Sequence, residues 1–323
     1  MKSFNHINAK TVDEAVKLLK NYEGKAKLLA GGTDLLGELK DKVLVTYPEA
    51  LVNIKTIPDM DYIKEEVGVL KIGALTKLRE IADSPVVQEK YNVLAQAALS
   101  VGSPQIRSMG TIGGNLCQDV RCWYYRYPHQ VGGRIMCRRK GGSSCMAASG
   151  DNRYHAILEG RKCLAVCPSD TAVALAALDA TIKVAGPGGE RTISLKEFFK
   201  PLRNDLEVDE IVTEIQVPQP PDRAKQTFLK FRLRNAIDFA IVSVAAVITT
   251  GSGVCEDASI AIGAVAPRPI RVTETEQKIR GKTIDTVTAE AASEAAVIGA
   301  VPLNMNAYKV EITKTLVRRA ILY

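Results

Sequence analysis

The chain has 323 residues, of which 46% are hydrophobic and 24% charged, with a formal net charge of +7. This length is too great for one simple core and predicts two or three domains. There is no apolar run of about eighteen residues and no apolar signal core at the N-terminus, so we expect no membrane span, no export and a cytoplasmic location. The excess positive charge lies between Cys117 and Cys163, where nine Lys or Arg residues accompany three Asp or Glu residues. Because this charge does not follow one helix or arm, we expect no nucleic-acid partner.

The first unit, residues 1–54, is predicted to be a small βα unit. Thr11 and Glu14 have the Thr-x-x-Glu spacing of a capping box, and apolar residues follow at helical spacing. Residues 27–30 and 50–54 predict two short buried strands.

Two further units follow. The second, residues 55–218, has predicted strands at 69–74, 180–185 and 211–217, and predicted helices at 77–81 (capped by Thr76), 86–101 and 171–178. A proline-rich linker begins at Pro218. In the third unit, residues 222–323, strands come first and helices after, which predicts an α+β unit. Its strands are predicted at 227–233, 240–249 and 258–265, and its helices at 275–280, 289–298 and 310–322.

Two glycine turns are candidates for holding phosphate groups: Ala30–Asp34 and Thr111–Asn115. Glycine lets backbone N–H groups approach an anion closely, while Thr and Asn side chains add donors. Neither turn is a G-x-G-x-x-G fingerprint or a P-loop, so a plain tight turn stays open as the alternative.

Six of the seven cysteines lie between Cys117 and Cys167, with the spacing C-x4-C-x14-C-x7-C-x17-C-x3-C. In a chain that is not exported, such cysteines are typical of metal ligands rather than disulfides. Zinc sites normally pair close cysteines, which this spacing fits poorly. Iron–sulfur clusters accept thiolates from widely separated loops. We therefore predict an iron–sulfur cluster, with a structural zinc as the alternative.

Several motifs occur in one order along the chain: Leu29–Leu35, Ser103–Arg107, Thr111–Asn115, Pro168–Asp170, Glu210–Val212, Lys230-x3-Arg234-x3-Asp238 and Ala307–Lys309. Together they resemble the FAD-binding subunit of molybdenum hydroxylases, a family that includes xanthine dehydrogenase, carbon monoxide dehydrogenase and 4-hydroxybenzoyl-CoA reductase. The resemblance covers essentially the whole chain. It implies an α+β chain with the vanillyl-alcohol-oxidase-type FAD-binding fold, in which two α+β subdomains clasp FAD and a C-terminal α+β domain packs against them.

The resemblance also implies roles for individual residues. Both glycine motifs would wrap the FAD pyrophosphate, Asp170 would bind a ribose hydroxyl, Val212 would lie near the flavin ring, and Lys230 near its polar edge. The complete implied set is Leu29, Ala30, Gly31, Gly32, Thr33, Asp34, Thr111, Gly113, Gly114, Asn115, Asp170, Val212 and Lys230.

Fifty-four residues separate Asn115 from Asp170, far more than in plain members of the family, which implies an insertion at about residues 117–165. The 4-hydroxybenzoyl-CoA reductase subunit and some bacterial aldehyde oxidoreductase subunits carry such an insertion, with an Arg-Cys pair, a C-x7-C pair and a later Cys-x-Ala. The resemblance therefore implies a [4Fe-4S] cluster held by Cys122, Cys137, Cys145 and Cys163. We expect Cys117, Cys167 and Cys255 to be packing residues, and the basic residues of the insertion to offset the charge of the cluster.

No nucleophile–base set stands out, so we expect electron transfer by cofactors rather than substrate chemistry in this chain. The resemblance implies two partners, a molybdopterin-binding large subunit and a [2Fe-2S] small subunit, with ferredoxin or another electron carrier outside the complex. Electrons would run inward from ferredoxin, as in 4-hydroxybenzoyl-CoA reductase, or outward from an oxidised aldehyde, xanthine or N-heterocycle. A metal-binding interaction module without flavin is the alternative from a different functional class.

Overall fold

The first unit is a small parallel sheet. A computed structural model describes residues 1–323. Thr11 caps the first helix as predicted, because its Oγ1 accepts a hydrogen bond from Glu14 N at 3.1 Å. The sheet has the order β1-β3-β2. Its elements are β1 (Asn5–Asn8), α1 (Val12–Asn21), β2 (Ala26–Leu29), α2 (Leu35–Lys40) and β3 (Ala50–Asn53).

The second unit is built on a five-stranded antiparallel sheet with the order β4-β5-β10-β6-β7. Its elements before the cysteines are β4 (Ile63–Glu66), β5 (Val69–Gly73), α3 (Leu78–Asp83), α4 (Pro85–Lys90), α5 (Asn92–Leu99), α6 (Pro104–Met109) and α7 (Ile112–Cys117). Those after the cysteines are α10 (Asp170–Ala177), β6 (Thr181–Gly186), β7 (Gly189–Ser194), α11 (Leu195–Phe198), β8 (Phe199–Lys200), β9 (Arg203–Asn204) and β10 (Ile211–Pro218).

Two helix predictions in this unit are wrong. Thr76 does not cap α3, because its hydroxyl donates to the carbonyl of Tyr62 at 3.0 Å; the backbone N–H of Lys77 donates to Glu80 instead, at 3.1 Å. The single helix expected over residues 86–101 is two helices. They are separated at Tyr91, whose φ of −126° and ψ of 42° are not helical and whose side chain is fully buried.

The insertion between α7 and α10 contains no strand. Its regular structure consists of the four-residue helices α8 (Trp123–Arg126) and α9 (His129–Gly132) and two 3₁₀ turns at Arg138–Lys140 and Met146–Ala148. A small apolar cluster that includes Cys137 and Cys163 is its own core. The insertion is therefore held together mainly by side chains rather than by a backbone ladder.

The third unit is an antiparallel sheet, order β11-β12-β13-β14, buried on both faces. Along β12, Val244 and Ala246 pack with the C-terminal helices, whereas Ala245 and Val247 belong to the core of the first two units. No helix of the structure is both long and apolar enough to span a membrane. The elements are β11 (Lys225–Phe231), β12 (Val242–Gly251), β13 (Val254–Gly263), β14 (Ile270–Arg271), α12 (Thr273–Ile279), α13 (Thr286–Ala295) and α14 (Tyr308–Leu322).

Candidate functional site

Both glycine motifs line one cleft of about 380 Å³, together with the start of β10. This space is called the glycine cleft below. Three of the predicted FAD residues, Asn115, Asp170 and Lys230, lie outside its lining. The other ten line it: Leu29, Ala30, Gly31, Gly32, Thr33, Asp34, Thr111, Gly113, Gly114 and Val212.

The first glycine motif offers unpaired backbone donors. The N–H groups of Gly31, Gly32, Thr33 and Asp34 make no hydrogen bond within the chain. Gly32 has a φ of +71°, and a Cβ on Gly31 would overlap the carbonyl oxygen of Met109. Both positions therefore require glycine. Successive free N–H groups on a glycine loop are an arrangement that binds phosphate oxygens.

The second glycine motif differs from the prediction, because it is the first turn of α7 and its amides are already paired. Thr111 Oγ1 accepts from Gly114 N at 3.2 Å, Gly113 N donates to the Ala74 carbonyl at 2.9 Å, and Asn115 N donates to the Thr111 carbonyl at 2.8 Å. A Cβ on Gly113 would lie 2.9 Å from the Ala74 oxygen. This motif therefore shapes the wall of the cleft rather than supplying free amides.

The three predicted residues outside the cleft hold neighbouring elements together. Asn115 Oδ1 accepts hydrogen bonds from Ser169 Oγ at 2.6 Å and Thr171 Oγ1 at 2.7 Å, which joins α7 to the start of α10. Asp170 and Lys230 form an ion pair of 2.6 Å whose side chains are almost fully buried. This pair joins α10 to β11, across the boundary between the second and third units. Their predicted contacts with FAD remain predictions.

Asp34 connects the glycine cleft to the insertion. Its Oδ1 lies 2.7 Å from Arg126 Nη2 and 2.8 Å from Arg121 Nη2, and its Oδ2 accepts from Asp119 N at 2.8 Å. Asp119 in turn accepts from Tyr125 Oη at 2.5 Å. The carboxylate of Asp34 is therefore engaged by the insertion, a role that the sequence did not predict.

Glu38 is a buried carboxyl group that sequence reasoning missed. It lies on α2, lines the glycine cleft and is only 5% exposed. Burial raises the pKa of Glu38 to about 7, and the attraction of Arg126, whose Nη2 lies 3.4 Å from Oε1, only partly offsets this. An acidic residue in the first turn of a helix is an ordinary pattern, so the local sequence does not indicate that Glu38 is buried. Only the fold shows its burial.

The four predicted cluster ligands, Cys122, Cys137, Cys145 and Cys163, line one small cavity. All four are free thiols. The cavity is about 10 Å³, roughly the space for a single water molecule. No three His, Cys, Asp or Glu side chains of the structure lie close enough together to hold one metal ion. The space between the cysteines is called the cysteine cavity below.

The remaining cysteines lie elsewhere. Cys167 and Cys255 are buried in the two large hydrophobic cores, as expected for packing residues. Cys117 is not a packing residue, because its side chain is exposed at the end of α7, where it lines the glycine cleft.

A buried lysine accompanies the cysteine cavity. Lys140 is 4% exposed, and its Nζ makes no hydrogen bond. Burial lowers the pKa of Lys140, while Cys137 and Cys122 act in the opposite direction through their negative charge when ionised. Lys140 Nζ lies 5.3 Å from the centroid of the Tyr125 ring, but no carboxylate pairs with it. Burying a cation without an opposite charge is strongly unfavourable. By contrast, Arg121 and Arg139, also expected to offset a cluster, are already paired with Asp34 and Asp119.

Cys122 is the one of the four cysteines whose sulfur has a side-chain nitrogen within hydrogen-bonding distance. His155 Nε2 lies 3.2 Å from its Sγ. Burial nevertheless raises the pKa of Cys122 to about 11. Burial, and then the nearby charge of Lys309, lower the pKa of His155 to about 4, so its imidazole is neutral at neutral pH. A thiolate at this position therefore needs a further positive charge, such as a metal supplies.

Comparison with known proteins gives matches to both parts of the chain. Residues 2–220 match the family described as the FAD binding domain in molybdopterin dehydrogenase, and residues 227–323 match the CO dehydrogenase flavoprotein C-terminal domain. The FAD-binding subunit of an Escherichia coli aldehyde oxidoreductase is 34% identical over 283 residues, which cover 84% of each chain. The FAD subunit of nicotinate dehydrogenase from Eubacterium barkeri is 29% identical and covers 90% of this chain and 84% of its own.

Solved structures agree. Carbon monoxide dehydrogenase from Hydrogenophaga pseudoflava superimposes with a TM-score of 0.79 at 28% identity, over 99% of this chain and 96% of its own. The predicted α+β fold with an FAD-binding and a C-terminal domain is confirmed. The match to an FAD-binding domain speaks against the flavin-free module. None of these descriptions mentions an iron–sulfur cluster or 4-hydroxybenzoyl-CoA reductase, so both remain predictions.

Proposed function

The chain belongs to the FAD-binding subunits of molybdopterin dehydrogenases, and we propose that it carries FAD in the glycine cleft and a [4Fe-4S] cluster in the insertion. In this role it is an electron-transfer subunit. When bound, FAD accepts or releases electron pairs and the cluster passes single electrons. The chain supplies binding and orientation.

The glycine cleft suits the pyrophosphate of FAD. The free N–H groups of Gly31 to Asp34 would donate to its oxygens. Because Gly113 and Gly114 have no side chains, the facing wall would leave room for the pyrophosphate to approach closely. Val212, at the start of β10, also lines the cleft and would lie near the flavin ring. Lys230 and Asp170 would act at the edge of the site, where their ion pair fixes α10 against β11.

The observation that carries the cluster proposal is the convergence of four free cysteines beside a buried lysine that has no carboxylate partner. Cys122, Cys137, Cys145 and Cys163 come from positions up to 41 residues apart in the sequence, yet they line one cavity next to Lys140. A [4Fe-4S] cluster with four thiolates has a net negative charge, and Lys140 would offset part of it. Because the cavity is small, the loops that bear these cysteines would have to move apart when the cluster enters.

The proposed partners are a molybdopterin-binding large subunit and a [2Fe-2S] small subunit. The comparison supports this, because the relatives are described as FAD-binding subunits or medium chains. An external electron carrier such as ferredoxin would exchange electrons with the cluster. Cys145 also lines a groove of about 1250 Å³ with Arg138, Arg161 and Lys162 at its edge, and this basic surface suits an acidic carrier.

We favour electron flow outward from an oxidised substrate. The relatives described as aldehyde oxidoreductase, nicotinate dehydrogenase and carbon monoxide dehydrogenase are named for oxidation reactions. Ferredoxin-linked reduction, as in 4-hydroxybenzoyl-CoA reductase, is the second candidate. It is favoured by the Arg-Cys, C-x7-C and Cys-x-Ala pattern at Cys122, Cys137 to Cys145, and Cys163.

Anaerobic reconstitution of the full chain with FAD, iron and sulfide tests the cofactors. We expect a flavin spectrum and about four irons per chain. In Gly114→Leu, the new side chain would fill the glycine cleft, since Gly114 lines it, and flavin should be lost while iron is retained. Gly188→Leu is the matched control, because Gly188 lies outside the lining of the cleft and a Cβ there meets nothing within 4 Å. A colourless, iron-free wild-type protein would refute the proposal.

The direction of electron flow needs the whole complex. The subunits that co-purify with the chain should include a molybdopterin protein, whose pocket identifies the substrate class. Reduction of the complex by an aldehyde or N-heterocycle, in the absence of any other reductant, would establish outward flow. Reduction only by ferredoxin, with no response to these substrates, would favour the second candidate.

A further inference from the structure

His155 is the only histidine whose ring contacts one of the four converging cysteines. Its Nε2 lies 3.2 Å from Cys122 Sγ. A ring N–H directed at this sulfur is more favourable for a negatively charged acceptor than for a neutral thiol. Cys122 is therefore the one of the four cysteines whose sulfur lies within hydrogen-bonding distance of a ring nitrogen.

The proton position on His155 follows from its surroundings. Nδ1 is buried and has no hydrogen-bond partner. A neutral imidazole has one donor and one acceptor nitrogen, and an unpaired buried donor is costly. A proton on Nε2 avoids that cost, because it points at the sulfur. A doubly protonated ring would also place an N–H on Nε2, so the donor faces Cys122 in either form.

The ring is held in this orientation from two sides. Within the insertion, the Trp123 ring packs edge-on against the His155 ring, with 5.6 Å between the two centroids. His155 is only 3% exposed. From the third unit, Asn306 Nδ2 donates to the His155 carbonyl at 3.1 Å, and Lys309 Nζ donates to the same carbonyl at 3.0 Å. The donor position is thus fixed by Trp123, which follows Cys122 in the chain, and by two residues of the third unit.

We propose that His155 tunes the reduction potential of the cluster by donating an Nε2–H hydrogen bond to the sulfur of Cys122. This inference rests on the proposed [4Fe-4S] cluster and adds a positioning role to it. Hydrogen bonds to cluster sulfurs are one of the determinants of the reduction potential. Because reduction adds negative charge to the cluster and its thiolates, a donor stabilises the reduced state more than the oxidised state. His155 therefore makes the potential less negative.

The experiment compares three variants of the reconstituted full chain. His155→Phe keeps a planar ring but removes the donor, and His155→Gln restores an N–H at a similar distance. His129→Phe changes an exposed histidine of the same insertion and is the control. The cluster potential is measured by redox titration followed by electron paramagnetic resonance. Wild-type protein labelled with ¹⁵N-histidine, which contains only three such residues, is examined for nitrogen coupling to the reduced cluster.

We expect His155→Phe to hold as much iron as the wild type and to titrate at a more negative potential, with His155→Gln between them and His129→Phe unchanged. The ¹⁵N coupling should be present in the wild type and absent from His155→Phe. An unchanged potential in His155→Phe with full iron content would overturn the inference and leave the cluster proposal intact. If His155→Phe does not retain iron, the wild-type ¹⁵N coupling decides: its absence overturns the inference. A wild type without iron would instead refute the proposed function.

Discussion

The glycine cleft and the cysteine cavity lie on the same chain and are joined at Asp34, yet they are built differently. Regular elements, backbone N–H groups and glycines form the cleft. In the insertion, which has no strand, side chains form both the cavity and its supports. A site made from backbone geometry is preformed before its ligand binds. One made from cysteine side chains on irregular loops depends on how those loops pack against the rest of the chain.

The strongest way to separate the two sites is to remove one proposed cluster ligand. Cys163→Ser should reduce the iron content from about four per chain to near zero, because three thiolates hold the cluster far less tightly. Its FAD content should stay at the wild-type level, since Cys163 does not line the glycine cleft. Iron and flavin assays on the same sample measure both. Cys255→Ser, in the core of the third unit, is the control. Full iron content in Cys163→Ser would remove this residue from the ligand set.

Asp34→Asn tests the link between the two sites. It leaves Arg121 without its carboxylate partner and Arg126 with only the more distant Glu38, and the side chains of Arg126 and Asp34 are each only 16% exposed. Breaking such a largely buried pair should lower the free energy of unfolding by about 4 kcal/mol. Urea denaturation measures this, and limited proteolysis should show faster cleavage within residues 117–165.

The matched control for the link is Asp238→Asn. Its partner Arg234 is 75% exposed, so loss of this pair should change the stability by about 0.5 kcal/mol or less. Equal effects in the two variants would show that Asp34 does not anchor the insertion.

Glu38→Gln should make the stability of the chain less dependent on pH. The folded-state pKa of Glu38 is raised from 4.5 to about 7. The stabilisation by its protonated form is therefore complete below pH 4.5 and is lost as the pH rises to about 7. At pH 8 we expect Glu38→Gln to be more stable than the wild type by roughly 2–3 kcal/mol, and at pH 4.5 nearly equal to it. Denaturation at both pH values measures the difference; a constant difference would show that Glu38 titrates normally.

The smallest effect is expected far from both sites. Thr11→Ala removes the N-cap hydrogen bond of α1 and should lower the free energy of unfolding by about 1 kcal/mol. Iron and flavin contents should not change. A loss of either cofactor in this variant would show that cofactor content follows global stability, and the comparison between the sites would then need stability-matched variants.

Local patterns predicted most strands and helices and the two glycine motifs of the cleft, whereas Leu29 and Val212 were implied by the family resemblance. The Thr11 cap depends on Glu14, a neighbour close in sequence, and this interaction is present in the fold. The residue pattern of each strand predicted β5 and β10 separately, although the two strands pair with each other from distant parts of the sequence. The predictions failed where a distant group competed. The Tyr62 carbonyl accepts a hydrogen bond from the hydroxyl of Thr76, which therefore does not cap α3. Burial of the Tyr91 ring interrupts a pattern that predicts one continuous helix.

The cysteine pattern identified four residues that converge, but not their surroundings. Lys140 follows two arginines in sequence and looks like part of a solvated basic loop, yet it is buried and its Nζ makes no hydrogen bond. His155 reaches Cys122 across 33 residues, and Asp34 reaches Arg126 across 92. The local sequence around each residue does not predict such contacts. They depend on how the insertion folds against the rest of the chain.

The contact between Lys309 and the carbonyl of His155 joins the insertion to a part of the chain that is translated later. Lys309 follows Cys163, the last of the four converging cysteines, by 146 residues. During translation the cysteines therefore leave the ribosome well before the residue that completes their support is made. Until α14 docks, His155 beside Cys122 lacks the hydrogen bond from Lys309 to its carbonyl. Loading of an iron–sulfur cluster into its final surroundings would accordingly be a late event, after the third unit has folded.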